Sequence, residues 1–141
     1  MQIRKQISFQ VQSDLRCLEQ VLAQLEQINE PWLSKEDWLE SQLALVEGFT
    51  NAVRHAHKDY PSNVEIAIDI TLTKKQIKIQ IWDHGPPFDL ESFLASGPRT
   101  KYNLSSGGRG IKILQKIADH LSYVRTDDNR NCLLIVKNLS S

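Results

Sequence analysis

Ile7, Phe9 and Val11 alternate with polar residues, a spacing that predicts a first strand. Ser13 then stands as the N-cap of a helix whose apolar residues Leu15, Leu18, Val21, Leu22, Leu25 and Ile28 recur at steps of three and four. Asn29-Glu30-Pro31 breaks it. A second helix starts at Ser34, with Asp37 where the reciprocal partner of a capping box sits. Its apolar face is expected to run through Leu39, Leu43, Val46, Phe49, Val53 and Ala56, and Asp59-Tyr60-Pro61-Ser62 ends it. Val64, Ile66, Ile68, Ile70 and Leu72 alternate strictly, Thr73-Lys74-Lys75-Gln76 turns the chain, and Ile77, Ile79 and Ile81 bring it back. From His84 to Ser106 the periodicity collapses into Gly, Pro, Ser and mixed charge. A loop of that length in a compact domain is usually a lid or a binding loop. A third helix follows from about Gly108 to His120, carrying Ile111, Leu114, Ile117 and Ala118. Two strands, Leu121 to Thr126 and Cys132 to Val136, flank the turn Asp127-Asp128-Asn129-Arg130.

Strands joined by hairpins are antiparallel, so this order predicts an α/β (α+β) two-layer sandwich. The expected sheet is mixed and mostly antiparallel, with helices on one face, in a single domain over residues 1–141. Composition agrees: 40% hydrophobic and 24% charged residues are globular values. Seventeen basic and seventeen acidic residues cancel, a poor basis for binding nucleic acid or an acidic membrane. Two cysteines, Cys17 and Cys132, suit a reducing compartment. No apolar run approaches bilayer length and the first residues lack a signal-peptide core, so we expect a soluble cytoplasmic protein with no membrane contact. The neutrality hides an asymmetry: four basic against eight acidic residues from Met1 to Thr50, and nine against four from Thr71 to Arg125. A positive second half is either a solvated face or an attractor for a phosphorylated ligand.

Three clusters carry candidate chemistry. Glu47, Asn51 and His55 are spaced by four on the second helix and fall on one face. A carboxylate beside a carboxamide can orient a proton-bearing nucleophile or a metal-bound water while the amide oxygen meets Mg²⁺; taken alone, the cluster reads first as a plain polar helix face with an incidental Glu–Asn pair. Asp83-His84-Gly85 closes the strand ending at Trp82. There an acid can accept a hydrogen bond from an exocyclic amine and a glycine can admit a flat ring, or the three simply form a turn. Gly107-Gly108-Arg109-Gly110 leads into the third helix, whose free N–H groups and dipole suit phosphate oxygens. There is no Gly-x-x-x-x-Gly-Lys-Ser/Thr run and no Gly-x-Gly-x-x-Gly. Trp32 and Trp38 read as packing or interface residues, and the Leu15, Leu18, Leu22, Leu25 stripe as core.

In this order the strings Leu45-Val46-Glu47-Gly48-Phe49-Thr50-Asn51-Ala52, Trp82-Asp83-His84-Gly85-Pro86-Pro87-Phe88-Asp89 and Gly107-Gly108-Arg109-Gly110-Ile111 resemble the GHKL ATPase superfamily with its Bergerat nucleotide site. They look most like the small anti-sigma-factor serine/threonine kinases, and the resemblance covers nearly the whole chain. It implies ATP and Mg²⁺, with Asn51 at the metal and Glu47 acting on the incoming hydroxyl. It puts Asp83 at the adenine amine with Gly85 beneath the ring, Gly108 and Gly110 shaping the phosphate site, and a lid over residues 88–106. It further implies a sigma factor or similar client and a STAS-type antagonist as phosphoacceptor; a homodimer is in keeping with the family.

Two departures change what is expected. Relatives place Gly-Thr on the final strand, the Thr supporting the adenine acid; Asn131-Cys132 stands here, so adenine contacts are expected to be weaker or bridged by water. Ser105-Ser106 replaces a basic residue before the glycine turn, leaving Arg99, Lys101 or Arg109 as candidates for the γ-phosphate. The alternatives are a nucleotide-dependent module that sequesters a partner without kinase activity, and a detached histidine-kinase catalytic domain.

Overall fold

The computed structural model describes residues 2–90, 92 and 108–140. Five strands form one sheet in the order β1-β2-β3-β5-β4: β1 (Ile3–Gln12), β2 (Glu65–Thr73), β3 (Gln76–Asp83), β4 (His120–Arg125) and β5 (Asn131–Asn138). All four pairings are antiparallel, so the expected two-layer sandwich holds and the sheet contains no parallel pair among the described residues. Among the described residues, α1 (Leu18–Glu26), α2 (Lys35–Asn51) and α3 (Gly108–Ile117) complete it. No helix among the described residues is long and apolar enough to cross a membrane.

The register stacks like with like. Ile68 faces Ile81, Ile70 faces Ile79, Leu72 faces Ile77, and Ile79 and Ile81 face Ile135 and Leu133. Alternation puts these side chains on one face, where they are buried against Val21, Leu25, Leu45, Phe49, Ile111 and Leu114 of the helices. Each fully buried aliphatic side chain of this kind stabilises the fold by about 1.5–3 kcal/mol. The same alternation carries Asp83, Asn131 and Tyr123 onto the helix-covered face at one end of the sheet.

Three local expectations are corrected. Asp14, not Ser13, caps the chain after β1: its carboxylate accepts from Arg16 N at 2.9 Å and a 3₁₀ turn (Leu15–Cys17) precedes α1. Ser34 does cap α2, its hydroxyl accepting from Asp37 N at 3.0 Å. The buried face of α2 is Ser41, Ala44, Leu45, Gly48 and Phe49, while Leu39 and Leu43 are exposed. Ser41 reaches the core because its hydroxyl donates to Asp37 O at 2.8 Å, and Gly48 because Ile81 packs directly above its Cα. Finally, the second helix does not continue in α register to Asp59. Past Asn51 it widens into a π-helical turn, Ala52–Ala56, closed by His57 N donating to Ala52 O at 2.9 Å.

The chain's last residues are tied to the start of α2. Asp37 accepts from Ser140 N and Ser140 Oγ, both at 2.8 Å, and lies near buried Lys137, which also pairs with Glu40. Burial alone would raise the Asp37 pKa. The bonds from Ser140 and Ser34 and the Lys137 charge outweigh burial and hold it below the ordinary carboxylate value.

Candidate functional site

The π-helical turn decides which histidine approaches the strand-end acid. Unbroken α geometry would carry the Glu47–Asn51 stripe on to His55; the wider turn instead directs His57 inward, 3% exposed, against the end of β3. His84 N donates to His57 Nε2 at 2.8 Å. Nε2 is therefore the acceptor and the proton sits on Nδ1, which donates to Ser13 Oγ at 2.9 Å. This is the role Ser13 has in place of capping. Burial, opposed by the Asp83 charge and reinforced by His84, pushes the His57 pKa down and keeps the ring neutral. His55 is also shifted down, by burial and then by Arg54 and Lys58.

Around His57 the backbone of the Asp83-His84-Gly85-Pro86 segment is fastened from several elements. The His57 ring stacks with Tyr60 (5.1 Å) and with His84 (6.0 Å), and Tyr60 OH donates to His84 O at 2.8 Å. Arg125 Nη1 donates to Gly85 O at 2.8 Å. Gly85 lies so close to the π-helical turn that an added Cβ would come within 2.5 Å of Ala56 O. This backbone approach requires glycine here independently of any ring.

Asp83 is 1% exposed and its carboxylate takes three protein donors. Oδ1 accepts from Gly85 N at 2.8 Å and Asn131 Nδ2 at 2.9 Å; Oδ2 accepts from Tyr123 OH at 2.5 Å. Burial, then the charge and hydrogen bond of Asp83, drives the Tyr123 pKa well above its ordinary value, so the phenol keeps its proton. Asn131 Nδ2 also donates to Gly85 O at 3.0 Å and Pro86 O at 3.1 Å. Of the Asn131-Cys132 pair, then, Asn131 supports the acid. The Cys132 thiol faces the opposite side of the sheet, 3.9 Å from Gln80 Nε2, and burial raises its pKa.

The second pole lies where α2 meets α3. Glu47 and Asn51 are half-buried, and a Cβ on Gly110 would stand 2.8 Å from Glu47 Oε1. Gly108 and Arg109 are the first two residues of α3, which has no acidic residue in its first turn, so the Glu47 carboxylate stands beside the positive end of that helix dipole. Asn51 lies one turn beyond Glu47 and about one turn before Ala56, between the Gly110 contact and the Gly85 contact. The segment Glu47–Ala56 thus connects the glycine-rich helix entry to the strand-end acid. The lid expected over 88–106 lies, apart from 88–90 and 92, outside the described residues, as do Gly107, Arg99, Lys101, Ser105 and Ser106.

Sequence reasoning singled out Glu47, Asn51, Asp83, Gly85 and Gly110 but passed over Tyr123, Arg125 and the His57–Ser13 pair. One signal was available for Tyr123, and for Asn131 as the partner of the acid. Asn131 is in phase with Leu133 and Ile135, and Tyr123 with Leu121, so alternation alone puts a polar group on the core face opposite Asp83.

Arranged this way, the residues offer a rigid buried acceptor for an amine and, one helical segment away, a carboxylate, a carboxamide and a helix N-terminus suited to an anion. The chain is 32% identical over 95 residues to the serine-protein kinase RsbW of Staphylococcus aureus strain MSSA476, covering 64% of this chain. The RsbW of strain MW2 matches equally. The chain spans 60% of the length of these curated relatives. Its fold resembles the catalytic domain of histidine kinase ThkA, with a TM-score of 0.51 at 16% identity, covering 99% of this chain and 98% of that one. Residues 11–137 match the histidine kinase-like ATPase domain, and the chain belongs to that family.

Proposed function

We propose that the chain is an ATP-dependent protein serine/threonine kinase acting as an anti-sigma regulatory factor. It would hold a sigma factor or similar client in the cytoplasm and phosphorylate a small STAS-type antagonist. The observation that carries the nucleotide reading is the Asp83 carboxylate, 1% exposed and oriented from β3, β4 and β5 on the face that α2 covers. Membership of an ATPase family and likeness to serine-protein kinases support the phosphotransfer.

In this reading Asp83 accepts the exocyclic amine of adenine, with its Oδ1 edge held by Gly85 N and Asn131 Nδ2. The phosphates lie at the first turn of α3, where N–H groups without helical partners and the helix dipole favour anions. Glu47 orients the acceptor hydroxyl and takes its proton late. The bond from that oxygen to the γ-phosphorus forms as the bond to the β–γ bridging oxygen breaks, and ADP leaves.

The donor set fits Mg²⁺. Among the described residues no three His, Cys, Asp or Glu side chains gather to hold a metal, while Asn51 supplies one neutral oxygen. An ion held mainly by phosphates and water needs no more from the protein. Asn51 would hold it, and when bound it neutralises charge on the phosphates.

Incubation with γ-labelled ATP and a STAS-domain antagonist tests the proposal. Acid-stable phosphoserine or phosphothreonine is expected, lost in Glu47→Ala; no product, or acid-labile phosphohistidine, refutes it. ATP titration of wild type and Asn51→Ala, with and without Mg²⁺, should show loss of the Mg²⁺-dependent part alone. The absence of a basic residue before Gly107, where Ser105-Ser106 stands, favours a second reading: ATP-dependent sequestration of a partner without transfer. Partner binding that survives Glu47→Ala, with no product from wild type, would select it.

A further inference from the structure

Both oxygens of Asp83 are engaged, but unequally. Oδ1 has two donors, Gly85 N and Asn131 Nδ2, which fill its lone pairs, so a ligand amine can address only Oδ2. Tyr123 OH donates to that oxygen at 2.5 Å. Oδ2 keeps one lone pair beside that bond, but with the acid 1% exposed a ligand reaches it only if a group packed on the carboxylate moves. The ring is half-buried on the helix-covered face of β4, with Phe88 edge-on at 5.9 Å, and Phe88 is itself 45% exposed.

Resting on the assignment of Asp83 to the base amine, we propose that the Tyr123 hydroxyl holds the place of that amine and must leave Oδ2 for a 6-aminopurine nucleotide to dock. Tyr123 thereby sets both the affinity and the base selectivity of the site. The exchange swaps one donor for another, so the carboxylate keeps its hydrogen-bond count and the amine's gain is offset by the phenol's loss. A purine without a 6-amine cannot make the swap: hydrogen offers nothing, and a 6-oxo group turns an acceptor toward a carboxylate. For such a base the phenol stays in place. Because burial and the Asp83 charge keep the phenol protonated, its hold on Oδ2 persists across the neutral range.

The test is calorimetric titration of the full chain, wild type and Tyr123→Phe, with ATP and with purine riboside triphosphate, which lacks only the amine. The phenylalanine keeps the ring and removes the competing donor. Tyr123→Phe is expected to bind ATP about tenfold tighter, the weight of one hydrogen bond to a charged acceptor, with the analogue unchanged. Equal or weaker ATP binding by Tyr123→Phe, in a protein whose wild type prefers ATP to the analogue, overturns this inference alone: Asp83 reads the amine and Tyr123 merely supports it. Equal binding of ATP and analogue by both wild type and Tyr123→Phe, unaltered in Asp83→Asn, overturns the base assignment and this inference with it. Should Tyr123→Phe fail to fold, a structure of the wild type with ADP decides. A Tyr123 oxygen beyond about 3.5 Å from Oδ2 supports the exchange, and a retained bond overturns it.

Discussion

Replacing Asn131 with alanine removes one carboxamide from three acceptors at once. Its two N–H hydrogens are shared among Asp83 Oδ1, Gly85 O and Pro86 O at 2.9, 3.0 and 3.1 Å. The loss is less than three full bonds, because Asp83 Oδ1 retains Gly85 N and Gly85 O retains Arg125 Nη1. The bond to the carboxylate is the costly one, about 1.5–3 kcal/mol, since Asp83 and Asn131 are each 1% exposed and water reaches the acid poorly. The neutral pair adds about 1 kcal/mol, for a total near 3 kcal/mol. At about 2.1 cal/mol/K per residue, 141 residues unfold with an entropy of about 0.3 kcal/mol/K, so Tm should fall by about 10 °C. Scanning calorimetry of wild type, Asn131→Ala and the exposed control Asn138→Ala measures this, the control staying within about 0.5 kcal/mol. If Asn131→Ala melts with the control, the carboxamide does not hold the acid and the reasoning fails.

Other expectations follow from the same contacts. Gly110→Ala puts a Cβ 2.8 Å from Glu47 Oε1, the far end of a flexible chain, so the carboxylate yields: Tm should hold or rise while phosphotransfer drops. A fall in Tm with unchanged transfer would contradict this. Gly85→Ala meets the Ala56 carbonyl at 2.5 Å, a backbone atom that cannot step aside; urea unfolding should show a loss of about 2–3 kcal/mol, and a variant as stable as wild type would be incompatible with the packing described. The folded-state pKa values of His57 and His55 lie below the unfolded value near 6.5. Above that value both rings are neutral in either state and stability is complete; as pH falls through it the unfolded chain binds protons first, and stability declines until the folded pKa values are passed. Urea midpoints at about pH 7.5 and about pH 5.5 should show the decline, and His57→Gln should shrink it; an undiminished decline would remove His57 from the account.

Periodicity served well where one side of an element faces the core and the other faces solvent. The β2–β3 hairpin could be read from Ile66, Ile68, Ile70, Ile77, Ile79 and Ile81 because those side chains are the core itself. It misled on α2, where small or hydrogen-bonded residues, Ser41 and Gly48 among them, let the helix lie close on the sheet and left Leu39 and Leu43 outside. Hydrophobicity ranks a leucine above a serine; it has no knowledge of Ser41 Oγ finding Asp37 O. The site divides similarly. Glu47, Asn51 and Asp83 were legible from spacing and order, but the choice of His57 over His55 depends on a π-helical turn that four-residue arithmetic does not contain. Tyr123 and Arg125 were missed because their partners lie about forty residues away across β5.

Stability alone is a poor reason for a carboxylate at position 83. Desolvating a charge costs several kcal/mol, and the donors gathered around Asp83 mostly recover that cost rather than add to the fold; apolar residues of similar volume would pack as well. What the donors supply is direction. His57 and Tyr60 fix the two sides of the His84 peptide, Arg125 and Asn131 fix Gly85, and Asn131 and Gly85 saturate one oxygen so that the other faces Tyr123. The Glu47 end is built differently: its carboxylate meets Gly110 across the α2–α3 contact, where the missing Cβ leaves it room to move. A nucleotide bridging the two poles would be read by the rigid one and reacted upon at the adjustable one. Substitutions near Asp83 should therefore reduce stability and base selectivity together, whereas those near Glu47 should change rate while melting behaviour stays put. Asn131→Ala and Gly110→Ala fall on opposite sides of that division, and measuring both variants by both assays tests it directly.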